Sequence, residues 1–211
     1  LDAFGRGELD LLVGTQMIAK GHDYPGVTLV GVIHADTGLG LPDFRAAEST
    51  FQLLTQVAGR AGRGDKPGKV IIQTFRPNHY AVQAAARHDY AAFFAREIQE
   101  RQNAIYPPFR RMANLMIESE DPELAQRCAG ILHRNARESI LSLGFEGLET
   151  LGPSPATIRR IKKLYRWNLG LLSKSSKRLN TLCRAVRDAY TRDAVTTKTK
   201  LKIDLDPYGM Y

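Results

Sequence analysis

The first half of the chain alternates short apolar runs with segments of helical periodicity, and this alternation constrains the fold most. The runs cover residues 9–15, 27–35 and 69–75, and helical spacing of apolar side chains marks residues 45–58 and 79–103. Alternating strands and helices predict a parallel sheet covered by helices, an α/β fold. Because such sheets bind ligands beyond the carboxyl ends of their strands, we expect functional residues in the loops that follow the runs.

Two further local expectations complete the first half. Residues 36–42 contain two glycines and a proline and are predicted as a loop. Asn78 is predicted to cap one long helix over residues 79–103, because asparagine side chains accept hydrogen bonds from the first free amides of a helix.

The pattern changes after Pro107-Pro108, which we take as a domain boundary. The strands predicted beyond it cover residues 110–119, 148–156, 161–173 and 200–206, and the helices cover residues 122–143 and 176–190, the second capped by Ser175 or Ser176. The order β-α-β-β-α-β is that of a small α+β ferredoxin-like split β-α-β domain. We therefore expect two domains, residues 1–105 and residues 106–211.

Charge is divided unevenly between these two halves. Residues 1–105 hold 11 lysines and arginines against 11 acids, whereas residues 106–211 hold 19 against 11 and carry the whole net charge of +8. A positive surface attracts nucleic acid or an acidic partner, so the second half is the candidate binding domain. The alternative is a solvated surface that is merely basic.

The cysteines, the apolar runs and the N-terminal residues indicate where in the cell the protein is expected. Cys128 and Cys183 are far apart and lack partners at metal-ligand spacing, so we expect buried thiols in a reducing cytoplasm. The histidines are scattered, and His34 is predicted to lie in a strand rather than a metal site. No apolar run reaches the length of a membrane span. The chain starts at Leu1 without methionine or a signal peptide, so we expect a piece of a longer protein.

The segment Q-V-A-G-R-A-G-R at residues 56–63 is the strongest functional signal in the chain. Arg60 and Arg63 are three residues apart and would share one face of a helix. Small residues between them allow that face to approach a nucleotide held by another lobe, as arginine fingers do. A solvated basic helix end with glycine caps is the alternative.

Several segments together resemble the primosomal replication-restart helicases of superfamily 2, the PriA family. The resemblance rests on V-G-T-Q-M-I-A-K-G-H-D at residues 13–23, which is similar to helicase motif V, and on Q-V-A-G-R-A-G-R, which is similar to motif VI. L-P-D-F-R-A-A-E at residues 41–48, F-Q-L-L-T at residues 51–55 and Y-P-P-F at residues 106–109 also resemble this family. Ser49 departs from the family, which more often has arginine there.

The resemblance implies that residues 1–105 are part of a RecA-like second helicase lobe and that ATP and Mg²⁺ bind the full-length protein. The first lobe of such motors supplies the P-loop and the Asp-Glu box. Neither is found in this sequence, and residues 64–69 have P-loop spacing one residue short, with Val70 where serine or threonine ligates magnesium. We therefore expect these 211 residues alone to be inactive. The family's zinc insertion lies upstream, and we expect no cofactor bound here.

Roles of individual residues follow from the same resemblance. Gln56, Arg60 and Arg63 would face ATP, with Arg63 as the finger on the γ-phosphate and Arg60 in a supporting phosphate contact. Gly21 and Asp23 would lie at the nucleotide, with Asp23 at its sugar or coupled to motif VI. DNA-backbone contacts without sequence readout are assigned to Gly14, Thr15, Gln16 and Lys20, the last of which is also suited to the nucleotide.

The basic segment R-R-I-K-K-L-Y-R-W at residues 159–167 interleaves cations with two aromatic residues. This composition suits phosphate contacts combined with base stacking. Strand alternation offers a second interpretation, in which Tyr165 and Trp167 point into the core while the cations point outward. The candidate nucleic-acid contacts are Arg159, Arg160, Lys162, Lys163 and Arg166.

The resemblance also implies partners for the C-terminal domain. The family binds the acidic, apolar tail of single-stranded DNA-binding protein, and Lys177, Arg178 and Asn180 at a helix start are our candidates for its carboxylate. Forked and single-stranded DNA and other primosome proteins are further expected partners, and no membrane is expected. The function expected is that of an ATP-dependent DNA helicase that recognises stalled or abandoned forks. The alternatives are another superfamily 2 DNA translocase or a non-enzymatic nucleic-acid-binding module.

Overall fold

The structure is a computed structural model that describes residues 1–15, 24, 26–41, 43–61 and 67–209. Its internal contacts divide the chain into two compact units. The first unit holds Leu1–Leu41 and Arg45–Glu100, and the second holds Pro42–Phe44 and Arg101–Tyr211.

The first half of the chain forms short strands and helices. In chain order these elements are α1 (Asp2–Gly5), β1 (Leu29–Val32), α2 (Asp36–Leu39), α3 (Ala46–Ala58), β2 (Lys69–Ile72), α4 (Tyr80–Ala86) and α5 (Tyr90–Asn103). Strands β1 and β2 pair in parallel, with Leu29 opposite Lys69 and Val32 opposite Ile72. The predicted parallel α/β character of this half is confirmed, whereas its assignment to a RecA-like lobe stays a prediction.

Aromatic side chains form the centre of the first unit. The rings of Phe51 on α3 and Phe93 on α5 stack with centroids 4.2 Å apart. Leu54, one turn after Phe51, is 1% exposed, as its place on the apolar face of α3 predicts. The Tyr80 hydroxyl donates a 2.7 Å hydrogen bond to the buried carboxylate of Glu97, which gives that charge a polar partner.

The three strands predicted for the first unit differ from the structure, and the last of them, residues 69–75, shortens to β2. Residues 9–15 are not a buried strand, since Leu11 and Val13 are 75% and 78% exposed and the segment pairs with neither β1 nor β2. A strand needs a hydrogen-bonded neighbour, and in the described part of the chain the parallel sheet has two strands. Residues 27–35 shorten to β1, so His34 lies beyond the strand in a left-handed conformation with φ 64°.

Helix boundaries also differ from the predictions. Residues 36–39, predicted as loop, form the single turn α2. The long helix predicted over residues 79–103 is two helices, because His88 adopts φ 52° and the Asp89 carboxylate accepts a hydrogen bond from the Ala92 amide to start α5. The cap of α4 is His79 rather than Asn78, since His79 Nδ1 accepts from the Ala81 amide at 3.2 Å.

The second unit has the predicted order of elements. These are β3 (Arg111–Ser119), α6 (Pro122–Leu143), β4 (Glu149–Ile161), β5 (Leu164–Ser173), α7 (Ser176–Thr191), a 3₁₀ turn (Ala194–Lys198) and β6 (Lys200–Leu205). The four strands form an antiparallel sheet in the order β4-β5-β3-β6. The predicted β-α-β-β-α-β unit is therefore confirmed, and the predicted cap Ser175 accepts a hydrogen bond from the Arg178 amide.

Helices α6 and α7 pack on one face of this sheet. Alternate residues of β3 and β5 supply the buried strand side of the core, including Leu115, Ile117 and Leu169. Cys128 and Cys183 are buried free thiols in the same core, as expected, and burial raises the pKa of Cys183 to about 11.

Candidate nucleic-acid interface

The described motif residues of the first unit lie at its surface. Gly14 and Thr15 are exposed at the end of the extended segment 9–15. Gln56 is exposed in the last turn of α3, which ends at Ala58 with Gly59 as its C-cap. Arg60 is half-buried after this cap, and its amide donates to the Val57 carbonyl. The helical face predicted for Arg60 is therefore wrong, because the helix ends two residues earlier.

The remaining motif residues lie outside the described residues. They are Gln16, Lys20, Gly21, Asp23 and Arg63. Their grouping with Gln56 and Arg60 around a nucleotide stays a prediction.

The β4–β5 hairpin presents four of the five predicted basic residues to solvent. Arg159, Arg160, Lys162 and Lys163 are all exposed, as predicted for surface positions. The chain reverses at Lys162 and Lys163, between the paired residues Ile161 and Leu164. Four cations within five residues at one hairpin end give a compact positive surface.

The hairpin turn holds both lysines in the left-handed backbone region. Their φ angles are 48° and 71°, as a two-residue turn of the type that matches strand twist requires. Glycine and asparagine are the usual residues there, because the left-handed conformation costs other residues about 1–2 kcal/mol each. Two lysines at the tip thus oppose local backbone preference, a pattern that occurs at functional sites.

Arg166 differs from the other four cations. It is 8% exposed on β5, opposite Glu118 of β3, on the sheet face away from the helices. Its Nε and Nη2 atoms have no hydrogen-bond partner among the described residues. Arg166 is therefore much less accessible than the four hairpin cations, and its contact with a nucleic-acid backbone stays a prediction.

The predicted partner site at the start of α7 is solvent-exposed. Lys177 and Asn180 point to solvent on the first turns of the helix. Arg178 has a structural task, since its Nη1 donates to the Glu146 carbonyl at 3.2 Å and its guanidinium lies 5.5 Å from the Phe145 ring centre. Arg178 thereby fixes the loop between α6 and β4.

One polar network at the carboxyl ends of β1 and β2 was not predicted. Asp36 Oδ1 accepts from the Thr74 hydroxyl and Oδ2 from the Phe75 amide, both at 2.9 Å. Burial opposes ionisation of Asp36, but these hydrogen bonds outweigh it and lower its pKa. His34 Nδ1 lies 3.9 Å from Oδ2. The sequence signal was a carboxylate directly after one apolar run and a threonine at the end of the next, since parallel strands end at one edge.

No group of three or more histidine, cysteine, aspartate or glutamate side chains among the described residues is arranged to hold a metal ion. None of the described helices is both long enough and apolar enough to cross a membrane.

Comparison with known proteins identifies the family. Residues 102–208 match the family model described as primosomal protein N C-terminal domain. The replication restart protein PriA of Bacillus subtilis (strain 168) is 44% identical over 100% of this chain. The chain belongs to the PriA family. The PriA protein of Synechocystis is 46% identical over 80% of the chain, and that of Borreliella burgdorferi is 36% identical over 99%.

The chain spans only part of these PriA relatives. It covers 26% of the Bacillus protein, 20% of the Synechocystis protein and 30% of the Borreliella protein. Among solved structures, a hydantoinase/carbamoylase family amidase from Burkholderia ambifaria overlaps 46% of the chain with a TM-score of 0.34 and 11% identity, which supports no conclusion.

Proposed function

We propose that this chain is part of an ATP-dependent DNA helicase that recognises stalled or abandoned replication forks and restarts replication through primosome assembly. The observation that carries the proposal is the 44% identity, over the whole chain, to a protein named replication restart protein PriA. Identity of this extent includes both the motif-bearing half and the basic half.

In this proposal, the first half contributes residues to the ATP site and to the DNA-binding surface. Arg63 is the finger on the γ-phosphate, with Arg60 and Gln56 beside it, because a guanidinium is suited to charge that develops during phosphoryl transfer. Gly21 and Asp23 contact the nucleotide. The proposed contacts with the DNA backbone are made by Gly14, Thr15, Gln16 and Lys20. ATP and Mg²⁺ are held mainly by groups outside these 211 residues, and zinc belongs to an insertion outside them.

The second half is proposed to hold DNA and partner proteins. The exposed cations Arg159, Arg160, Lys162 and Lys163 suit phosphates without reading bases. Lys177 and Asn180 at the start of α7 suit the carboxylate of the single-stranded DNA-binding protein tail, while Arg178 contributes by fixing the neighbouring loop. Other primosome proteins are further proposed partners, and the cytoplasm is the proposed compartment.

A nucleic-acid-binding module without motor activity is a second candidate, and the net charge of the second half favours it. Another superfamily 2 translocase is a third. Unwinding of a labelled forked DNA by the natural protein that contains this chain separates them. The proposal expects unwinding that requires ATP and Mg²⁺, together with primosome assembly on the fork. Binding without ATP turnover would support the module, and turnover without primosome assembly would support another translocase.

A further inference from the structure

Asp36 joins the ends of the two parallel strands of the first unit. The Ala35 amide donates to the Gln73 carbonyl, so the chains that leave β1 and β2 remain paired beyond the strands. The Asp36 carboxylate then bonds both Thr74 and Phe75. The backbone at Phe75 is thereby fixed by a charge-assisted hydrogen bond, although Phe75 lies in a loop.

The side chain held in this way is an aromatic ring that faces solvent. Phe75 is 82% exposed. Its one described ring partner is His34, whose centroid lies 5.9 Å away at an interplanar angle of 81°. In this edge-to-face geometry one ring supports the other without covering both of its faces. The His34 side chain is itself 55% exposed.

Position and charge indicate the class of ligand. The pair lies at the carboxyl edge of a parallel sheet, where ligands of α/β folds bind. Arg76 follows Phe75 directly and is exposed, which places a cation suited to phosphate next to the aromatic ring. Single-stranded nucleic acids bind through this combination of aromatic stacking and backbone contacts.

The openness of the pair favours a polymer over a free nucleotide. Small-molecule sites enclose most of their ligand's surface. The exposure of Phe75 and His34 offers little such enclosure. A strand held at many points gains from an open platform, because each stacked base adds to contacts made elsewhere.

We propose that Phe75 and His34 form a stacking platform for a base of single-stranded nucleic acid, with Asp36 as the positioning residue and Arg76 as the adjacent phosphate contact. This inference rests on the proposed function, since it adds a base contact to a protein proposed to track DNA.

The test compares two fluorescent 15-mers bound by the 211-residue chain, oligo(dT) and an abasic strand of the same length. Anisotropy titrations should give about five- to a hundred-fold tighter binding to oligo(dT). Phe75→Ala should remove this preference and leave abasic binding and its salt dependence unchanged, because phosphates and not bases set that dependence. Phe94→Ala is the matched control, since Phe94 is also exposed in the first unit and should retain the preference.

Two further variants keep the proposal testable if Phe75→Ala folds poorly. Phe75→Trp should bind normally, and its added fluorescence, measured against the background of Trp167, should be quenched by oligo(dT) but not by the abasic strand. Asp36→Asn should weaken oligo(dT) binding alone.

An undiminished preference in Phe75→Ala would overturn the platform while leaving the proposed function standing. Equal quenching by a mononucleotide would assign the ring to a free nucleotide. Absence of quenching with intact abasic binding would indicate that another protein segment covers the ring. Each of these results contradicts the proposal. If the wild-type chain bound neither DNA strand, that result would count against the proposed function as well.

Discussion

The guanidinium carbon of Arg160 lies 5.1 Å from the ring centre of Tyr165, and the two residues are directly paired across the β4–β5 hairpin. Trp167, two residues along β5, packs partly buried against the core. The aromatic residues of the basic segment are therefore occupied, one by a cation and one by the core. Of the two interpretations of this segment, the one that turns the aromatic rings into the core holds for Trp167 but not for Tyr165, and phosphate contacts by the cations stay a prediction.

The first prediction concerns the charge of the hairpin. Changing Arg159, Arg160, Lys162 and Lys163 to glutamate should abolish DNA binding by the second half, because the change replaces the cations proposed to contact phosphates with anions that repel them. Anisotropy titrations at several salt concentrations measure the effect, and circular dichroism checks the fold.

A matched quadruple variant controls for charge alone. The control variant carries glutamate at four exposed arginines on helices, so its net charge changes by the same amount. It should retain the larger part of the DNA affinity. The four residues are Arg127, Arg134, Arg137 and Arg184. Equal loss in both variants would mean that the whole surface, and not the hairpin, attracts DNA.

The second prediction separates stability from binding at the hairpin turn. Lys162→Asn combined with Lys163→Gly should stabilise the chain by about 1 kcal/mol, because both new residues accept the left-handed conformation more easily. The same change removes two cations, so the salt dependence of DNA affinity should fall by about 1.4–1.8 in log-log slope. Urea unfolding and salt titrations measure the two effects, and reduced stability would contradict the assigned turn geometry.

The third prediction concerns Arg63 in the natural protein that contains this chain. Arg63→Ala should leave nucleotide binding largely intact but lower DNA-stimulated ATP turnover by about a thousand-fold or more, as loss of a finger arginine does. Arg63→Lys should rescue little, since an ammonium cannot match the planar guanidinium. Steady-state ATPase assays decide this, with Arg96→Ala on the exposed face of α5 as control. Normal turnover in Arg63→Ala would assign the finger elsewhere.

The fourth prediction concerns the chain as given. These 211 residues should neither hydrolyse ATP nor unwind DNA, because their sequence lacks both the P-loop and the Asp-Glu box that hold phosphates and magnesium. Phosphate release in the presence of Mg²⁺ and single-stranded DNA measures this. ATP turnover that co-purifies with the chain through several columns would contradict the assignment of the catalytic groups to another region.

The fifth prediction concerns alkaline pH. Burial raises the pKa of Cys183 from 9.0 to about 11, so the folded state favours the neutral thiol. The resulting stabilisation is fully present below pH 9 and is lost as pH rises towards 11, where the unfolded chain ionises first. The hydroxyl of Tyr190 adds a pH dependence of the same sign, because burial also raises its pKa.

Urea unfolding at pH 8, 9.5 and 10.5 tests this dependence. Cys183→Ser should lower stability at every pH, because it places a hydroxyl in the core, but its stability should fall less steeply between pH 9 and 10.5. An identical slope in the two proteins would show that Cys183 does not titrate in that window.

The second unit was more predictable than the first, and its local signals explain why. Asp121 and Pro122 start α6, and Gly144 ends it with φ 60°, so both helix ends were encoded by adjacent residues. Along β3 and β5, the side chains that alternate towards the helices, such as Leu115, Ile117 and Leu169, are apolar, so this face could be read from the local sequence.

The first unit depends on interactions that are not local. Val13 sits in an apolar run of strand composition, yet it is 78% exposed because no described strand pairs with its segment. His88 has no signature that predicts a left-handed backbone in mid-helix. The Asp36 network was missed for the same reason, since its bonds to Thr74 and Phe75 join residues nearly forty positions apart. Periodicity reports which face is apolar, but not which neighbour will cover it.

The position of β3 has a consequence for the order in which the second unit is made. Leu115 pairs with Leu169 on one side and with Ile203 on the other, so the first strand to be synthesised is flanked by partners from the middle and the end of the unit. Until β6 has left the ribosome, β3 keeps an open edge of unpaired amides and carbonyls beside an apolar face. Such an edge is a template for aggregation. The β3 edge that pairs with β6 is therefore the part of this sheet that stays unprotected longest during synthesis.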